Sequence, residues 1–210
     1  MTERHPPLSD PKAMRALAHP ARLSMLNHLA VVGTATATEL AEIVGVSPSA
    51  ASYHMRMLEK YGFAADAPAR SDGRERVWKH LSTGITLSHE PGEPGETRAA
   101  RDLLVDAIWN DAELEARRAL AQVEQTPEEW RKATVFARGT LIVTAEELRG
   151  LTEEIEKLVE PYLAKHRHGE ARPEGARVAE AQYRLFPRAE RRTPGLPTED
   201  HDARVAGDEA

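Results

Sequence analysis

The chain of 210 residues contains no cysteine. That excludes disulfides, thiolate metal centres and cysteine nucleophiles. Aromatic residues make up only 5%, and no aromatic-rich strand of the type that stacks on RNA bases is present. No run of eighteen apolar residues exists, so nothing reads as a membrane span. Residues 1–11 are polar and proline-containing and lack the apolar stretch of a secretion signal. The cytoplasm is the expected compartment. The sequence also lacks a nucleophile elbow, a glycine-rich phosphate loop and a zincin motif. It therefore reads as a chain that is not an enzyme and has no cofactor.

What is present is a globular composition, 40% hydrophobic and 30% charged. The net charge is −6, unevenly spread. Residues 1–82 sum to +2 and residues 83–210 to −8. A mildly basic N-terminal part can face an anionic partner while an acidic C-terminal part faces away.

Five stretches follow from the pattern. Residues 1–9 form a flexible N-terminus, 10–82 a first domain, 83–96 a linker and 97–187 a C-terminal region. Residues 188–210, rich in charge, proline and glycine, read as disordered. In the first domain, Asp10 caps a helix starting at Pro11. A second helix starts at Pro20, carries Leu23, Leu26 and Leu29 at helical spacing, and stops at Gly33. Thr36 and Glu39 make a capping box for a short helix ending at Gly45. Ser47 and Pro48 then open a helix that reaches about Tyr61 and stops at Gly62. From Phe63 to Leu81, two short segments flank Ser71-Asp72-Gly73-Arg74, a hairpin signal that predicts a two-stranded wing.

The C-terminal region predicts a helix over Thr97 to about Val123, a helical turn over Pro127 to Lys132, and a helix capped by Thr144 and Glu147. Pro161 should kink or fray that last helix. Val135 to Val143 is β-branched, and Val178 to Phe186 alternates apolar with polar. Both predict strands able to pair in one small sheet. The fold class is thus mainly α with a small β wing: a winged helix-turn-helix domain followed by a C-terminal α+β region for dimerisation or sensing.

Thr36 to Gly62 carries the functional signal. Two short capped helices joined at a glycine match a helix-turn-helix, whose second helix enters the major groove of double-stranded DNA. Ala51, Met55 and Leu58 fall at i, i+4 and i+7 and form its buried side. Ser49, Ala50, Ser52, Tyr53 and Arg56 then lie toward DNA. Ser47 and Ser49, near free N–H groups, suit a phosphate. His54 reads as a DNA or capping contact. Arg70, Arg74, Arg76 and Lys79 make the wing a basic hairpin for the neighbouring backbone or minor groove.

Leu17-Ala18-His19-Pro20-Ala21-Arg22-Leu23, Ser52-Tyr53-His54-Met55 and Leu58-Glu59-Lys60-Tyr61-Gly62-Phe63 together resemble the ArsR-type winged-helix regulators. The resemblance spans roughly residues 10–82. It implies a homodimer that occludes a promoter as a repressor, on the nucleoid when bound, with DNA contacts at Ser47, Ser49, Ser52, Tyr53, His54 and Arg56. The chain is longer than the short metal-sensing members, and it looks like larger actinobacterial-type relatives with a C-terminal extension.

Soft-metal sensing of the thiolate kind is excluded by the missing cysteines. Asp102 with Asp106 and His166 with His168 are the remaining donor pairs. The two histidines are better explained by the favourable field at a helix C-terminus, so no metal is assigned. The C-terminal region reads either as a pure dimerisation module or as a site for a small-molecule inducer, and the sequence leaves both open. A dimeric DNA-binding or protein-interaction module without sensing is the alternative reading.

Overall fold

The computed structural model describes residues 8–70, 75–81, 87 and 92–188. The Asp10 carboxylate accepts from the Lys12 N–H at 2.8 Å and starts helix α1, Pro11–Leu17. Helix α2, Pro20–Val32, follows at once, because the residue before a proline leaves the helical region. His19 is its N-cap, with Nδ1 accepting from the Ala21 N–H at 3.2 Å. Gly33 ends it at φ 82°, where a Cβ would stand 3.1 Å from the His168 ring. Strand β1, Thr34–Thr36, leads into α3, Ala37–Val44, and α4, Pro48–Lys60. Strands β2, Ala64–Asp66, and β3, Val77–His80, follow.

The wing is a three-stranded antiparallel sheet in the order β1-β3-β2. Thr36 lies opposite Val77 and Asp66 opposite Trp78. The third strand was not foreseen, since three residues are too few to show an alternation. The hairpin tip, residues 71–74, lies outside the described residues, and so do most of the linker and the tail after Arg188.

The core joins all these elements. Leu17, Leu29, Leu40, Met55, Leu58 and Trp78 are among its largest fully buried members. Helix α5, Gly95–Ala121, adds Ala100 and Leu104 to that core. It also buries the Arg101–Glu93 ion pair. Arg15 with Glu96 (2.7 Å) and Asn27 with Asp111 (2.8 Å) tie α1 and α2 to it.

Beyond α5 come a short helix α6, Glu128–Ala133, and helix α7, Ala145–Val159, which gives way to a 3-10 turn at Pro161 as expected. The two predicted C-terminal strands are corrected. Residues 134–144 and 177–188 run without helix, turn, bend or ladder, and they do not pair with each other. Alternation makes a segment suitable for a sheet, but a strand exists only where a neighbour takes up its N–H and C=O groups. No such neighbour is offered within this one chain among the described residues. The region is therefore helical with unpaired segments rather than α+β.

No helix among the described residues is long and apolar enough to cross a membrane. No group of three or more His, Asp or Glu among them is placed to hold a metal ion.

Candidate nucleic-acid interface

The Thr36 hydroxyl accepts from the Glu39 N–H at 3.3 Å, and the Glu39 carboxylate accepts from the Thr36 N–H at 2.7 Å. That reciprocal pair fixes where α3 begins. Its end is set by Gly45 in the left-handed region (φ 70°), with the Gly45 and Val46 N–H groups both donating to the Ala41 carbonyl. Ser47 caps α4 through the Ala50 N–H at 3.2 Å, and Pro48 takes the position where an N–H has no helical partner. The turn between the two helices is thereby determined at both ends.

Ala51, Met55 and Leu58 are buried against α3 and the core. The opposite side of α4 presents Ser49, Tyr53, Arg56 and Lys60, all exposed, at i, i+4, i+7 and i+11. Tyr53 is 59% exposed, although an aromatic ring of that size is usually covered. Arg56 has no ion-pair partner among the described residues, nor has Lys79 on β3. Ser49 shares a hydrogen bond with Ser47 at 3.0 Å. Ala50 and Ser52 are half-buried beside this face. An open cleft lies between the starts of α3 and α4 and the wing, lined by Thr38, Ser49, Ser52, Arg56, Glu75 and Arg76.

The other named side chains stand differently. The His54 ring packs on the His19 ring, 4.7 Å between centroids, with Arg22 Nη1 3.5 Å from His54 Nδ1. It turns toward the α1–α2 junction and away from the exposed face. Partial burial, then His19 and Arg22 beside it, hold its pKa below the ordinary histidine value. Burial and Arg22 do the same to His19. Both rings use Nδ1 as an acceptor, which only the neutral form allows. Arg22 also donates to the Ala16 carbonyl at the end of α1. The histidine and arginine of the His19-Pro20-Ala21-Arg22 stretch thus tie the α1–α2 junction to α4.

Arg70 and Arg76 are engaged within the chain. Arg70 donates to Glu39 at 2.6 Å and to the Thr34 carbonyl at 3.2 Å. Its hydrogen bond is the main reason the Glu39 carboxyl is held below its usual range. Arg76 bonds Asp66 and Glu59 and stacks over Trp78 at 3.9 Å. The wing is therefore less basic than a count of arginines suggests. Arg74 lies outside the described residues.

Residues 17–66 match the family model of a helix-turn-helix domain. The chain carries a helix-turn-helix, the DNA-binding domain of transcription regulators. The match spans the end of α1 through β2, so the helix-turn-helix includes both the capped turn and the exposed face of α4. Curated proteins gave no match. Among solved structures, a MarR family transcriptional regulator from Silicibacter pomeroyi is similar at 17% identity and TM-score 0.30, covering 68% of this chain and 70% of that one. A MarR family protein from Mycobacterium tuberculosis, solved with salicylic acid, is 20% identical at TM-score 0.28, covering 71% and 87%. TM-scores this low do not amount to a shared overall fold.

Sequence reasoning missed Lys60 on the exposed face and the Arg22–His19–His54 cluster. The spacing from Ser49 to Lys60 already contained the first. The second joins residues 32 positions apart, and no local pattern reports that.

Proposed function

We propose that this protein is a cytoplasmic transcription regulator of the ArsR type that binds double-stranded DNA as a homodimer and represses by covering a promoter. The observation that carries the reading is the exposed polar face of α4, Ser49, Tyr53, Arg56 and Lys60, set directly opposite Ala51, Met55 and Leu58 in the core. A helix held in this way can enter the major groove N-terminus first. Arg56 is the side chain for a guanine edge or a phosphate, and Ser47, Ser49 and Ser52 serve the backbone near the helix start. Tyr53 gives apolar contact to a thymine methyl. Lys79, Arg74 and the exposed edges of Arg70 and Arg76 add contacts that carry little sequence information. His54 positions the helix.

Two copies related by a twofold axis would read half-sites roughly 34 Å apart. The dimer is supported by the C-terminal half. Leu103, Trp109, Leu114 and Leu120 on α5 and Leu158 on α7 are exposed in the single chain. Exposed apolar side chains in this number favour a partner surface.

The test is an anisotropy titration against DNA upstream of the protein's own gene, with a scrambled duplex and varied salt. Sequence-dependent binding that weakens steeply with salt is expected. Arg56→Ala should cost about 1–3 kcal/mol of discrimination. Equal binding of both duplexes by the wild type and by Arg56→Ala would reject the assignment.

A further inference from the structure

Residues 180–184 lie along α5, in a stretch, 177–188, without any ladder of its own. Gln182 Nε2 donates to the Ala112 carbonyl at 2.8 Å, and the Arg184 guanidinium stacks over Trp109 at 5.0 Å. These contacts place Gln182 and Arg184, and with them the side of the segment that also carries Glu180, toward α5. Glu180 faces Asp111 and Glu115 there. Its carboxyl is pushed up by burial first and by those two carboxylates next. Asp111 is raised as well, by burial and by Glu115. The segment's backbone makes no strand pairing, and Val178 and Phe186 at its ends are 61% and 65% exposed. An unpaired, alternating segment of this kind is a ready edge for another strand.

We infer that residues 178–186 pair antiparallel with the same residues of a second copy, about a twofold axis at Gln182. In that register Glu180 of each copy stands opposite Arg184 of the other. Val178 meets Phe186, Ala179 meets Leu185, Ala181 meets Tyr183, and Gln182 meets itself. Every pair joins like polarity or opposite charge, the combinations that stabilise cross-strand neighbours. Centring the axis on Ala181 or Tyr183 instead sets Glu180 opposite Gln182 or Phe186. Parallel pairing sets Glu180 against Glu180. Of these arrangements, the one centred on Gln182 brings a cation from the second copy to the acidic group of Glu180, Asp111 and Glu115. Such self-complementarity is what a twofold interface requires. This inference rests on the homodimer proposed above and specifies one contact within it.

The charge test uses full-length chains. Glu180→Arg alone and Arg184→Glu alone each oppose like charges twice in a homodimer, so each should dissociate at concentrations about tenfold higher than the wild type. Mixed one to one, the two variants oppose only unlike charges, and dimers should return. Glu180→Arg combined with Arg184→Glu in one chain should also dimerise. A second test exploits the absence of native cysteine. Gln182→Cys should cross-link to itself on mild oxidation, because directly opposed strand residues lie within disulfide reach. Val178→Cys, about 27 Å from its own copy in this register, should not. A wild type that sediments as a monomer at micromolar concentration would overturn the homodimer and this contact together. A wild-type dimer that ignores the charge variants and cross-links Gln182→Cys no faster than Val178→Cys would overturn the contact and leave the homodimer standing.

Discussion

Helices α3 and α7 begin in the same way and end up in different surroundings. Each starts at a threonine that exchanges hydrogen bonds with a glutamate three residues on, Thr36 with Glu39 and Thr144 with Glu147. Yet α3 buries Leu40 and Ala41 in the core, while α7 buries nothing. The contrast extends to the whole molecule. Every buried side chain among the described residues lies between Ala13 and Leu104. Residues 105–188 have comparable helices and amphipathic stripes, but among the described residues none of their side chains is fully buried. Local signals are enough to start a helix; burial depends on what other elements bring to its face.

The largest test of that contrast is a pair of leucines. Leu58 is 0% exposed and Leu158 is 70% exposed. Leu58→Ala should cost about 2–5 kcal/mol in urea unfolding, from lost burial and the cavity left behind. Leu158→Ala should leave the same transition unmoved at protein concentrations where the chain is monomeric. Equal effects would mean that the C-terminal half is as well covered as the N-terminal half.

The two capping boxes sharpen the comparison further. Thr36→Ala should destabilise the cooperative unit by about 1 kcal/mol, because α3 is part of the core. Thr144→Ala should speed amide exchange in α7 and leave the global midpoint where it was, since local opening there need not involve the core. Hydrogen exchange read residue by residue separates the two outcomes.

The smallest effect is a pH dependence of opposite sign in the two halves. His19 and His54 have pKa values depressed by burial and by the nearby Arg22. A depressed histidine binds fewer protons folded than unfolded between its folded value and the ordinary one. Stability from this cluster is therefore complete above about pH 6.5 and is lost as pH falls below it. Glu180 and Asp111, raised in the C-terminal half, act in the opposite sense and favour the folded state on acidification. His54→Gln should flatten the N-terminal loss between about pH 7 and pH 5.5. A variant with the wild-type slope would remove His54 from the cluster's role.

Most of the fold from Asp10 to His80 was legible in the sequence because its signals are local. Caps at Asp10, Thr36 and Ser47, stops at Gly33, Gly45 and Gly62, and the Ala51-Met55-Leu58 spacing each act within one or two turns of chain. The exposed face of α4 followed from the same spacing. The role of His54 was not legible, because His19 and Arg22 reach it only after α1, α2 and α4 have packed together. Nor were the partners of Arg70 and Arg76, whose acids come from α3, α4 and β2.

By itself, then, the sequence determined the helix boundaries, the turn and the outward side of α4, since hydrogen-bonding caps, backbone preference and helical periodicity are short-range. The tertiary structure decided which arginines of the wing are held within the chain and which way His54 faces. It also decided that the two alternating C-terminal segments stay unpaired. A strand is completed by its neighbour, and alternation along one chain does not specify where that neighbour is.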